Sequence, residues 1–125
     1  YKNLQTEITS HLISLSINPE EIKLFNRLLK GNIYDLIEKE IFSSGYVLHT
    51  LEASIFCLLT TDNYKSAILK AVNLGEDTDT TGAVTGGLAG LLYGYKTLPE
   101  SWLKQIARRE DIEDLADRLR DFASR

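Results

Sequence analysis

The densest group of potential metal ligands in this 125-residue chain is Glu76-Asp77-Thr78-Asp79-Thr80-Thr81. Asp77 and Asp79 stand at i and i+2 and Thr80 at i+3, so a turn there brings two carboxylates and a hydroxyl towards one point. Hard oxygens grouped in this way suit Mg²⁺ or Mn²⁺ rather than a softer metal. Three acidic residues within four positions also repel one another, and a bound cation relieves that repulsion where the loop is enclosed. The competing reading is a solvated acidic loop that starts the next helix, because Asp and Thr are good N-caps. An EF-hand is excluded, since its regularly alternating ligands and terminal Glu are missing.

The neighbouring segment favours a site. Thr80 to Tyr95 holds no charged residue and five of the eight glycines. Each glycine costs a helix about 0.8–1 kcal/mol against Ala, so this many in one helix need a packing reason. Gly82, Gly86, Gly90 and Gly94 recur every four residues, which lines them on one helix face and lets neighbouring backbones approach. The stretch reads as a buried central helix with the acidic loop at its entrance. Its 16 residues are too few for a comfortable membrane span.

Other reactive residues read as structural. His49 lies one turn after Tyr46, and a lone His among apolar neighbours is read as a hydrogen-bonded core residue before it is read as a base. Glu52, a turn further on, is expected to pair with a helix neighbour, and His11 has no partner in sequence. Cys57 sits in an apolar run, where a thiol behaves as a small hydrophobe. As the only cysteine it permits no intrachain disulfide, which points to a reducing, cytoplasmic setting.

These residues must be positioned by helices. Leu4, Ile8, Leu12 and Leu15 fall at helical spacing, and Asn18-Pro19-Glu20-Glu21 then reads as a fresh start with cap, first-turn proline and acidic first turn. That helix is expected to carry Ile22, Phe25, Leu28 and Leu29 on one face and to end at Gly31, with another over Ile33–Ile41. Tyr46–Thr60 is too long and too apolar for a strand and reads as a buried helix. Asp62 is expected to cap the next, which shows Ala67, Ile68, Ala71 and Val72 on one face and ends at Gly75. Pro99-Glu100 opens a short helix through Trp102 and Ile106, and Asp111–Ala123 is amphipathic, with Ile112, Leu115, Leu119 and Phe122 in one stripe. No strand pattern of similar strength occurs. The expected fold is all-α, a compact helical bundle of about seven helices in one domain.

Composition agrees: 43% hydrophobic and 26% charged residues describe a globular chain with a sizeable core. Lys and Arg number 14 against 18 Asp and Glu, a net charge of −4 without a basic stripe, which excludes a general nucleic-acid binder. The amino-terminal residues lack the charged-then-apolar pattern of a signal peptide, and no membrane partner is expected. Methionine is absent, at position 1 and throughout, so the chain is expected to be a piece of something longer.

Two separated strings carry a resemblance. Asn73–Gly94, NLGEDTDTTGAVTGGLAGLLYG, is similar to the C-terminal signature of the ADP-ribosylglycohydrolase family, and Ser44–Ala53, SGYVLHTLEA, resembles a second family segment in the right order. With the Pro99-Glu100-Ser101-Trp102 turn they cover about Ser43 to Trp102. The resemblance implies the C-terminal part of an all-α fold with a centre of two Mg²⁺ or Mn²⁺ ions in a cleft for ADP-ribose. It implies hydrolysis of the glycosidic bond at the ribose anomeric carbon, with an ADP-ribosylated protein or ADP-ribose-like small molecule as substrate. Position by position, Asp77, Asp79 and Thr80 match C-terminal metal ligands, and Tyr46 matches a substrate-facing aromatic. No residue is assigned as the catalytic base.

The family's remaining ligands come from an N-terminal half with a Thr-Asp-Asp type motif, and nothing in Tyr1–Phe42 resembles it. Two octahedral cations need about twelve ligand positions, more than three residues supply. Residues 1–125 are therefore expected to form a single partial domain, inactive without its other half or without self-association. Alternatives are a non-catalytic relative acting as a binding or structural module, and a helical interaction domain whose acidic loop is only a cap.

Overall fold

The computed structural model describes residues 1–124, and among these the chain is helical with no strand. The α-helices are α1 (Lys2–Ser14), α2 (Pro19–Lys23), α3 (Asn26–Leu29), α4 (Val47–Leu59), α5 (Tyr64–Asn73), α6 (Thr78–Tyr93), α7 (Glu100–Leu103) and α8 (Arg109–Ala123). Short 3₁₀ turns cover Ile33–Asp35, Glu38–Glu40 and Tyr95–Thr97.

The architecture centres on α4, α5 and α6, each packed against the other two. Small residues allow this. Ala53, Ser54 and Cys57 of α4, Ala67 and Ala71 of α5, and Thr81, Thr85 and Ala89 of α6 are all fully enclosed. Bulk comes from Phe56, Leu28, Ile33 and Ile41, which close one end of the cluster. The Ser54 hydroxyl donates to the Thr81 carbonyl at 3.5 Å, tying α4 to the first turn of α6. The buried Thr81 and Thr85 hydroxyls have no partner among the described residues.

The expected glycine face is real only over its first half. A Cβ at Gly82 would lie 3.1 Å from Val72 Cγ1, and one at Gly86 would lie 3.4 Å from the Tyr64 hydroxyl and 3.5 Å from Ile68 Cδ1. Here α5 approaches α6 closely. At Gly87 and Gly90 a Cβ would meet nothing within 4 Å, and Leu91 and Leu92 are 87% and 64% exposed. The helix is thus central on one side and bare on the other, because α4 and α5 both pack on its Thr81–Thr85–Ala89 side.

Three further elements depart from expectation for physical reasons. The segment after Asn18 forms two short helices instead of one, although Asn18 does cap the first by accepting from Glu20 N at 3.0 Å. Over 33–41 the chain makes two 3₁₀ turns with Leu36 and Ile37 extended between them, which lets Ile33 and Ile41 both reach the core. Arg27 secures this strand-like passage: it donates to the Glu40 carbonyl at 2.8 Å and pairs with Glu52 of α4 at 3.0 Å. The cap of α5 is Asn63 rather than Asp62, its side chain accepting from Ser66 N at 2.8 Å.

Helix α1 is held by polar groups more than by its apolar face. Gln5 Nε2 donates to the Leu28 and Gly31 carbonyls at 2.6 and 2.8 Å, and the Tyr1 hydroxyl donates to Leu28 O at 2.7 Å. Leu4, Ile8 and Leu12 instead border an apolar cavity of about 250 Å³ shared with Phe25 and Ile55. Helix α8 is amphipathic as expected, with Arg118 and Asp114 paired at 2.9 Å, yet Ile112, Leu115, Leu119 and Phe122 are all exposed. It is fastened through Arg109, whose Nε meets Glu113 at 2.7 Å and whose NH2 donates to the Tyr95 hydroxyl at 3.0 Å, while that hydroxyl donates to Glu113.

Candidate metal and substrate site

The acidic loop begins where α5 stops. Gly75 and Glu76 are successive left-handed residues, φ 87° and 56°, which reverse the chain before α6. Glycine takes that conformation without penalty, whereas Glu76 pays a steric cost of about 1–2 kcal/mol that the surroundings must offset. They do so through residue 43. The Ser43 hydroxyl donates to the Gly75 carbonyl at 2.7 Å and the Ser43 carbonyl accepts from Asp77 N at 3.0 Å. Ser43 is itself buried, so this is an enclosed clasp between the start of α4 and the start of α6.

Asp77 lands at the N-cap of α6, with Asp79 and Thr80 in the first turn. By hydrogen-bond geometry its carboxylate does not cap the helix, and its near neighbours are Thr80 and Asp79 of the first turn. The Thr80 hydroxyl, then Asp79, hold the Asp77 carboxyl below its ordinary value, so it is anionic at neutral pH. Asp77 is half-buried, while Asp79 and Thr80 are exposed. The helix's positive end favours anions at this position.

Directly above lies the Ser44-Gly45-Tyr46 turn that leads into α4. A Cβ at Gly45 would sit 3.2 Å from Asp77 Oδ2, so the backbone there walls the carboxylate closely. Tyr46, next in sequence, is the N-cap of α4 and 51% exposed, its ring facing His49 at 5.2 Å and 88°. Thus the residues singled out from sequence, Tyr46 on one side and Asp77, Asp79 and Thr80 on the other, belong to two segments clasped at Ser43. Ser43 and Gly45 were invisible as site residues. The only signal was the Ser43-Ser44-Gly45 break in helical pattern, which reads as a simple loop.

The remaining reactive groups sit elsewhere. Glu52 is buried and paired with Arg27, from another element instead of a helix neighbour. Burial pushes the Cys57 thiol up to about 11, so it stays protonated and inert. His11 is exposed in the last turn of α1.

A hard divalent cation fits this donor set in kind: two carboxylates, one already held anionic, and a neutral hydroxyl oxygen. It fits less well in number. Among the described residues no three His, Cys, Asp or Glu side chains converge on one point. Asp77, Asp79 and Thr80 would hold one side of an ion, leaving about half of six positions to water or to another segment.

Comparison with known proteins bears on this arrangement. A model of the family described as ADP-ribosylglycohydrolase matches residues 5–124. ADP-ribosylarginine hydrolase Tri1 of Serratia proteamaculans is 44% identical over 107 residues, covering 83% of this chain and 29% of that protein. ADP-ribosyl-[dinitrogen reductase] glycohydrolase of Rhodospirillum rubrum is 38% identical over 71 residues, covering 57% of this chain and 24% of that protein. ADP-ribosylhydrolase ARH3 of Mus musculus is 25% identical over 139 residues, covering 94% of this chain and 37% of that protein. The chain therefore spans well under half the length of these relatives.

Proposed function

The chain belongs to the ADP-ribosylglycohydrolase family, and on that premise we propose that it carries the C-terminal part of an enzyme that hydrolyses the bond between ADP-ribose and its acceptor. The observation that supports this best is the clasp at Ser43, which sets the carboxylate of Asp77 against the turn bearing Tyr46. Anionic oxygens and an exposed aromatic on two clasped segments suit a polar, sugar-containing ligand. Substrates are proposed to be ADP-ribosylated proteins or ADP-ribose-like small molecules; the Serratia and Rhodospirillum relatives are named for ADP-ribosylarginine and for ADP-ribosyl-dinitrogen reductase. Neither a nucleic acid nor a membrane is proposed as partner. The charge is −4, and among the described residues no helix is long and apolar enough to cross a membrane. The lone, buried, protonated Cys57 suits a reducing, cytoplasmic setting.

Mg²⁺ or Mn²⁺, two ions in the complete site, would supply Lewis-acid polarisation and a water of lowered pKa. Asp77 and Asp79 provide negative charge at the N-terminus of α6, and Thr80 adds a neutral oxygen while keeping Asp77 ionised. Gly45 lets the turn approach the carboxylate, and Tyr46 offers its ring and hydroxyl to a ligand at the open side.

Residues 1–125 are proposed to be a single partial domain that works only with further ligands from a complementing segment or a second chain. The short donor count supports this, as do the bare face of α6 and the uncovered stripe of α8. Calorimetry with Mn²⁺ tests the ligand assignment: Asp77→Ala and Asp79→Ala weaken binding more than Thr80→Ala, and equal affinities for all three count against it. Adding the N-terminal half of a family member and assaying ADP-ribose release with Mn²⁺ tests the activity. No release from a pair in which both halves are folded would sink the enzyme reading. A second reading, a non-catalytic ADP-ribose-binding relative, is favoured by the same donor shortfall and predicts binding without release in that assay.

A further inference from the structure

His49 makes contacts that neither the core nor the acidic loop requires. Its Nδ1 lies 2.7 Å from Ser44 Oγ. Its half-buried ring meets Tyr46 edge-on and lies against Phe42, both at centroid distances of 5.2 Å. The Ser44 oxygen also accepts the backbone N–H of Tyr46 at 3.4 Å; with one proton and one further lone pair left, its bond to Nδ1 runs in the direction set by which ring nitrogen carries the hydrogen. Thr50 closes the same turn from α4, its hydroxyl reaching the Ser44 carbonyl at 3.4 Å and its N–H the Tyr46 carbonyl at 3.1 Å. Ser44-Gly45-Tyr46 is thus tied to α4 largely through side chains, whereas its link to the acidic loop runs through the hydroxyl and carbonyl of the neighbouring Ser43.

We propose that His49 is a positioning residue: by accepting the Ser44 hydroxyl and packing its ring on Tyr46 and Phe42, it fixes the turn in the form that presents Tyr46 to a ligand beside Asp77. The ligand-binding consequence rests on the functional reading above, but the positioning itself does not. The contact has a separable function because the His49 ring meets Ser44, Tyr46 and Phe42 directly and reaches Asp77 only through the Gly45 backbone. A purely structural histidine would affect both sides together with stability.

Two variants test this in the full chain. His49→Phe keeps a ring and removes the acceptor; His49→Asn keeps an acceptor near the Nδ1 position and removes the outer ring. In wild type, ¹⁵N spectra of the imidazole should give the Nε2–H tautomer, and backbone order parameters at Ser44–Tyr46 should be near the rigid value of about 0.85. His49→Phe should lower them to below about 0.6, and His49→Asn should largely keep them. ADP-ribose affinity, read by calorimetry with Mn²⁺ on the chain paired with the N-terminal half of a family member, should fall about five- to tenfold in His49→Phe, the scale of one hydrogen bond, and recover to within about threefold in His49→Asn. Mn²⁺ affinity should fall less than ADP-ribose affinity in His49→Phe, because the Ser43 clasp still holds Asp77 when the Gly45 wall loosens, and should stay within about twofold in His49→Asn. An Nδ1–H tautomer, or an unchanged turn in His49→Phe, overturns the proposal. So does an equal loss of Mn²⁺ affinity and melting temperature in both variants, which identifies a packing role. If wild type paired with the folded N-terminal half of a family member binds no ADP-ribose the functional reading fails, while tautomer and order parameters still decide the positioning.

Discussion

Replacing Gly45 with Ala separates the site's needs from the fold's. Gly45 is exposed and its φ lies outside the left-handed region, so an Ala there meets no backbone strain. By restricting the unfolded chain, Gly→Ala at such a position stabilises a protein by about 0.4–1 kcal/mol. The new methyl, however, would sit 3.2 Å from Asp77 Oδ2, inside ordinary carbon–oxygen contact by a few tenths of an ångström. The turn cannot easily retreat, since the Ser43 carbonyl is bonded to Asp77 N at 3.0 Å, so the carboxylate moves. Ligand distances at metal sites tolerate about ±0.2 Å. A displacement of that size should weaken Mn²⁺ binding about three- to tenfold, up to about 1.4 kcal/mol. Electron paramagnetic resonance of free Mn²⁺ gives the affinity, and a thermal melt gives the stability. The expected result is a raised or unchanged melting temperature with weaker metal binding. Unchanged affinity in a folded variant would refute the claim that this wall positions Asp77.

Other perturbations follow the same reasoning. Thr80→Val removes the main cause of the lowered Asp77 carboxyl, so its titration midpoint, followed by ¹³C NMR, should rise towards the ordinary value near about 3.9. A carboxyl depressed by folding contributes stability above its unfolded pKa and loses it as pH falls through the folded one, so wild type should lose more stability than Thr80→Val between neutral and acid pH. Arg27→Ala strands Glu52, whose side chain is only 6% exposed, and should cost about 2–4 kcal/mol in urea unfolding, less than a fully buried pair because Arg27 is 40% exposed. Adding Glu52→Leu should restore much of that loss, and no recovery would show that Arg27 matters through Glu40 instead. Gly87→Ala and Gly90→Ala should each raise stability by about 0.5–1 kcal/mol, whereas Gly82→Ala, facing Val72 Cγ1 at 3.1 Å, should gain less or lose. Equal gains at all three would deny that α5 closes on α6 at Gly82.

What was legible in the sequence is what local periodicity and capping decide. Helices α4, α5 and α6 follow from apolar spacing, and the start of α2 from Asn18-Pro19. Residues 24–41 were not legible because their shape depends on distant partners. Gln5 takes the Leu28 and Gly31 carbonyls, and Arg27 bridges Glu40 and Glu52, contacts that leave no periodic trace. The four-residue glycine spacing marked a close helix contact but could not say how far along α6 it extends. At the candidate site the acidic residues were readable as ligand types, and the way they are held was not. Ser43, whose hydroxyl and carbonyl grip Gly75 and Asp77, looks like any loop serine.

That grip makes the acidic segment a poor candidate for transplantation. The amide of Asp77 finds its acceptor 34 residues upstream, and the same serine holds the carbonyl of Gly75, the first of the two left-handed residues before it. A peptide spanning α5, the loop and α6 would keep all the oxygen atoms and lose the clasp that sets their spacing. The arrangement arrives only with the tertiary fold, after closure of a long loop. Protection of that one amide from hydrogen exchange therefore reports whether the site is assembled, before any ion or ligand is added.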